Sequence, residues 1–150
     1  MRPSEVRERI LYDHETIRAM LVAVERVSLQ VMDGESRLIG PLRFEAETLL
    51  ERLLEHMGWE DRYLRPALLE ADAWGQERAV HLDRDHREQR EILQYALASI
   101  EDQSRPPLVI SRQILDLVRL LRDDMDEEEE LLVNDRVLRD DVVSVDAEGG

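Results

Sequence analysis

Leu53-Leu-Glu-His-Met-Gly-Trp-Glu-Asp-Arg-Tyr-Leu-Arg-Pro-Ala-Leu68 is the stretch that decides the fold of this chain. Leu, Glu, Met and Arg favour helix, and no proline interrupts the run before Pro66. The apolar stripe enters through Leu42, Ala46, Leu49 and Leu53 and leaves through Leu64 and Ala67. Steps of three and four mark one helix face, the face a bundle buries. Between Leu53 and Leu64 that face carries His56 and Glu60 instead of apolar residues. A carboxylate in a core is costly unless it is neutralised or bound to a positive group. Four residues apart on a helix, the two side chains lie one above the other, an arrangement that offers two ligands to one metal centre.

The same interruption recurs along the chain. A first helix is expected from about Ser4 to Met32, ended by Asp33-Gly34, with Val6, Ile10, His14, Ile17, Leu21, Val24 and Val31 inward. The second opens at Gly40-Pro41, where proline is tolerated in a first turn, and bends or ends near Leu69 because of Pro66. The third runs from about Gln76 to Ile100, with His86 among Leu82, Leu93 and Ile100. The fourth runs from about Pro107 to Leu132, with Asp124 and Glu128 continuing the row Ile110, Ile114, Leu117, Leu121. Long helices on short loops specify an all-α, antiparallel up-down-up-down four-helix bundle over residues 1–133. From Asn134 to Gly150 the periodicity fades, which reads as an acidic tail. A weak internal repeat pairs Asp13-His14 with Asp85-His86, and His56-Met57-x-x-Glu60 with Asp124-Met125-x-x-Glu128.

Composition narrows the chemistry. The 150 residues carry 43% hydrophobic and 37% charged side chains, enough for one globular domain. A net charge of −15 argues against nucleic acid and anionic membrane as partners. No cysteine is present, which excludes disulfides and thiolate metal sites. The N-terminus lacks the apolar core of a signal peptide, and no apolar run approaches the roughly 20 residues of a membrane span, so a cytoplasmic protein is expected. All 20 basic residues are arginine, read here as compositional bias. There is no Ser-His-Asp set, phosphate-binding glycine loop or basic patch in the linear sequence.

His14, His56, Glu60, His86, Asp124 and Glu128 come from all four expected helices. Brought to one level, three carboxylates and three imidazoles would repel and desolvate one another at a cost of several kcal/mol. Two divalent or trivalent cations would neutralise them. Oxygen and imidazole donors without sulfur suit iron or manganese, and zinc satisfies them too.

These residues carry a resemblance. YDHETIR around His14, the opening stretch around His56 and Glu60, and RDHREQREIL around His86 resemble the hemerythrin-like, HHE cation-binding family, over about Val6 to Leu132. The resemblance implies a four-helix bundle with a non-haem pair of iron ions. It makes Glu60 and Glu128 bridging carboxylates and His14, His56 and His86 terminal ligands. Two departures stand out. Asp124 occupies a position where the family usually has histidine, and Leu82 one where it often has a second histidine. The nearest histidine, His81, precedes His86 by five residues, about 140° around a helix, so ligation by His81 needs a local distortion. Glu15, Glu55 and Asp61 fall off the stripe, as surface groups or supports for ligands, and in the Glu127–Glu130 run only Glu128 faces inward.

Three functions follow as expectations: a di-iron protein that senses, scavenges or reacts with O2, NO or peroxide, or handles iron; a degenerate bundle acting as a regulatory protein-binding module; or a carboxylate-rich di-iron oxidase.

Overall fold

The computed structural model describes residues 1–141. Among them are four α-helices, α1 (Pro3–Met32), α2 (Ile39–Ala71), α3 (Gly75–Glu101) and α4 (Pro107–Leu131), plus one 3-10 turn at Ser36–Leu38. Helix α1 packs against α2 and α4, and α2 packs against α3, while α3 packs less extensively on α4. Short connections make chain neighbours antiparallel, so the bundle is the expected up-down-up-down one.

Local chemistry sets the ends. Proline opens α1 and α4, where a missing N–H costs nothing. After α1, Gly34 takes φ of 108°, a conformation that favours glycine. Pro66 does not stop α2, which continues to Ala71. It forfeits one backbone hydrogen bond near the helix end, where few remain to be lost. Gly75 then starts α3 so close to the end of α2 that a Cβ would lie 2.2 Å from the Leu68 carbonyl oxygen. The far end of α3 is closed from α2: buried Arg43 donates from Nη1 to the carbonyls of Ile100 (2.5 Å) and Asp102 (3.1 Å). These carbonyls have no helical partner, and a guanidinium satisfies them and the negative helix terminus together.

Two apolar cores form, and a polar layer separates them. The larger holds Ile17, Leu21 and Val24 of α1, Leu42 to Met57 of α2, Leu93 to Ile100 of α3 and Ile110 to Met125 of α4. The smaller holds Val6, Ile10, Leu64, Leu68 and Leu82. On each helix the layer residues lie between the two: His14 after Ile10, His56 and Glu60 before Leu64, His86 after Leu82, Glu128 after Met125.

The smaller core also takes Leu132, Val133, Val137 and Leu138, with Leu138 fully buried. Asp140 accepts hydrogen bonds from the Ser4 backbone N–H (2.9 Å) and hydroxyl (2.6 Å), tying the segment to the start of α1. The tail expected from Asn134 is therefore packed structure as far as Asp140. Isolated apolar residues in turns carry no period, so the sequence pattern gives no sign of them. Residues 142–150 of that expected tail lie outside the described residues.

Candidate metal centre

In the polar layer His14, His56, Glu60 and Glu128 each offer one donor atom, all within 4.8 Å of one another. His14, His56 and Glu60 are buried, and Glu128 nearly so. His14 Nε2 stands 3.2 Å from Glu128 Oε1, and His56 Nε2 stands 3.4 Å from Glu60 Oε1. His86 joins from α3, its Nε2 3.2 Å from the same Glu60 oxygen. Three helices thus meet at the Glu60 and Glu128 carboxylates, and α3 reaches Glu60 through His86.

Three buried atoms here have no hydrogen-bond partner: His56 Nε2, Glu60 Oε2 and Glu128 Oε1. Unsatisfied buried polar atoms are rare, and each costs of order 1–3 kcal/mol. Two carboxylate oxygens and an imidazole nitrogen facing one small cavity fit a cation. Charge supports this. Burial and the neighbouring Glu128 raise the Glu60 carboxyl well above its usual range. Burial alone would raise Glu128 too, but Glu60 and His14 more than reverse it, to about 2. Metal-free, the pair therefore resists carrying two negative charges at once, and Glu60 is the member pushed toward its protonated form. Burial also opposes a charge on His14, yet Glu128 and Glu129 raise its pKa. His56 is lowered by burial and by His14, whose ring centroid is 5.0 Å away.

Each imidazole is held from behind in the same way. His56 Nδ1 meets Asp13 Oδ2 at 3.3 Å, His14 Nδ1 meets Glu129 Oε2 at 2.9 Å, and His86 Nδ1 meets Asp61 Oδ1 at 2.6 Å. Each carboxylate is in turn held by an arginine: Asp13 by Arg9 (3.2 Å), Glu129 by Arg18, and Asp61 by Arg90 (2.5 Å). A carboxylate accepting from Nδ1–H fixes the tautomer and directs the free Nε2 lone pair into the layer.

Asp124 lines the small cavity and accepts from Gln89 at 3.3 Å, without belonging to the tight four-residue group. Burial, with Asp85, Glu127 and Asp123 nearby, pushes it up to about 6. His81 lies elsewhere. Its Nε2 is 2.9 Å from Asp85 and 3.8 Å from Glu127, and Arg84 donates to its Nδ1 at 2.8 Å. Helix α3 is regular through 81–86, so the phase difference between His81 and His86 is kept and no distortion carries His81 inward.

The supports are where sequence reading falls short. Asp13 enters it only as part of a repeat, and Glu129 as part of a solvated run; yet Asp13 is buried and Glu129 holds His14 across the bundle. Asp13 immediately precedes His14 in sequence but serves His56 of another helix, which no spacing encodes. Asp61 backs the His86 ring, while Glu15 and Glu55 are exposed.

Compared with known families, residues 5–134 match the family model described as Hemerythrin HHE cation binding domain. No curated protein and no solved structure matches the chain.

Proposed function

We propose, for a chain that belongs to the hemerythrin HHE cation-binding domain family, that the polar layer holds two iron ions and reacts with O2, NO or peroxide. The ligands in this reading are His14, His56, Glu60, His86 and Glu128, with Asp124 at the edge of the set and His81 outside it. Manganese or zinc would satisfy the same donors. The observation that carries the reading is the trio of buried donor atoms on His56, Glu60 and Glu128 that no hydrogen bond satisfies. Bound iron would supply the redox chemistry.

The chain's own residues set the conditions for it. Asp13, Glu129 and Asp61 orient the three rings, and the two apolar cores exclude bulk water above and below the layer. Uptake of a cation favours the ionised form of Glu60, against the burial and the Glu128 charge that raise it. Glu60, Glu128 and Asp124 together put three carboxylates around the cavity. Anionic oxygen donors stabilise ferric over ferrous iron, so this reading makes the protein one that reacts with its ligand rather than carrying O2 reversibly.

The test is metal analysis of the purified protein, followed by anaerobic ferrous loading and admission of air. Two irons per chain and a new near-ultraviolet absorption are expected. Protein that takes up no metal under any loading condition would sink the proposal, leaving the bundle as a protein-binding module.

A further inference from the structure

The support behind His56 differs from the other two in where it surfaces. Asp13 and His56 form the inner wall of a cleft of about 340 Å³ between α1 and α2. Its rim carries Arg9, Arg52 and Arg62, a concentration of positive charge on a chain of net charge −15. The sequence separates Arg9 from the other two, and only the packing of α1 on α2 unites them.

Most of the local negative charge is already committed. Asp13 accepts from Arg9 at Oδ1 (3.2 Å) and from His56 Nδ1 at Oδ2 (3.3 Å). Glu55, the other acid, has its side chain 76% exposed. The guanidinium groups are less committed. Arg52 approaches Asp13 at 3.8 Å and Glu55 at 3.7 Å, both beyond hydrogen-bond length. Arg62 makes no hydrogen bond or ion pair among the described residues. The cleft around Asp61 and His86 has the opposite balance: its lining carries Asp61, Asp83 and Glu91 against Arg87 and Arg90.

The α1–α2 cleft also has an aromatic wall. Trp59 and Tyr63 pack with centroids 4.8 Å apart, and Arg9 lies 5.1 Å over the Trp59 ring. Gly58 adds open space, since nothing lies within 4 Å of where its Cβ would be.

We propose that this cleft binds a small aromatic oxyanion, a ring bearing a phosphate or carboxylate, and that its occupancy is felt at His56 through Asp13. Spare guanidinium N–H groups of Arg52 and Arg62 receive the oxyanion in the paired geometry arginine favours. Trp59 and Tyr63 receive the ring. Arg52 drawn to the ligand moves off Asp13, which then accepts more strongly from His56 Nδ1–H. The consequence for metal chemistry rests on the iron reading above; the binding itself does not.

The experiment uses metal-free full-length protein with Trp74→Phe, which leaves Trp59 as the fluorophore. Phenyl phosphate should change Trp59 fluorescence saturably, and Arg62→Gln, an exposed and unpartnered position, should weaken binding about tenfold. Inorganic phosphate should bind more weakly and phenol not at all. Saturation should shift the His56 ring nitrogen signals in the NMR spectrum, and Asp13→Asn should reduce that shift. No saturable fluorescence change, or equal affinity in Arg62→Gln, overturns the site. Phosphate binding as tightly as phenyl phosphate overturns the aromatic class, and an unmoved His56 signal at saturation overturns the coupling. Because no metal is present, failure here leaves the iron reading standing, and failure of iron loading leaves this result intact.

Discussion

Raising the pH above 6.5 should loosen the metal-free protein. Glu60 has a folded pKa well above the ordinary carboxyl value of 4.5, from burial and from Glu128. The stability it contributes is complete below 4.5 and is lost as pH rises through the folded value. His14, raised from 6.5 by Glu128 and Glu129 against the cost of burial, contributes stability that is complete below 6.5 and lost above it. The opposing groups act at lower pH. His56 is lowered from 6.5, Glu128 is lowered from 4.5 to about 2, and Asp61 is lowered from 3.8, so their windows close by 6.5. Asp124, at about 6, has largely ionised by then. Above 6.5 Glu60 and His14 act in one direction. Each extra proton held by the folded state is worth about 1.4 kcal/mol per pH unit. For a chain of this size that is roughly 3–5 °C in Tm per pH unit per proton. The assay is thermal unfolding followed by circular dichroism in a strong chelator, between pH 6.5 and about 8. Glu60→Gln should flatten the fall by removing one of the two protons, and bound metal should abolish it. A wild-type Tm that is flat or rises across this interval would refute the buried, proton-sharing pair.

Asp13→Asn should lower metal affinity roughly ten- to a hundredfold by weakening the hold on His56 Nδ1, with helix content unchanged; equilibrium competition against a chelator measures it. Leu138→Ala should cost about 2–5 kcal/mol in chemical denaturation, because Leu138 is fully buried in the smaller core. Gly75→Ala should cost about 1–3 kcal/mol, since its Cβ would meet the Leu68 carbonyl oxygen at 2.2 Å and α3 must shift. Glu60→Ala should leave one metal ion or none per chain while the far-ultraviolet spectrum stays helical, as elemental analysis of the loaded variant will show.

How much of this was legible beforehand depends on which contacts a helix period encodes. His14, His56, Glu60 and His86 stand on apolar stripes, so burial of the stripe carries each inward, and all four are buried. Helix limits fall within a residue or two of the expected ones, except that the turn at Ser36–Leu38 lies outside the pattern. What stayed hidden crosses between helices. Glu129 sits beside Glu128 in an acidic run, and nothing local distinguishes the residue that holds His14 from its exposed neighbour Glu130. Val137 and Leu138 sit in turns, where burial follows from the end of the bundle being open rather than from any repeat.

The arginines behind the three imidazoles have one further effect. Their side chains are only partly covered: Arg9 is 48% exposed, Arg18 33% and Arg90 38%. Dissolved ions therefore reach the outer ends of all three supports, although they do not reach the layer itself. At physiological ionic strength the screening length is about 8 Å, longer than any one of these pairs, and in molar salt it falls to about 3 Å. Concentrated salt should then loosen the arginines from Asp13, Glu129 and Asp61, and free each carboxylate to pull harder on its imidazole or to swing away from it. The ionic strength of the medium becomes a remote control on a buried centre.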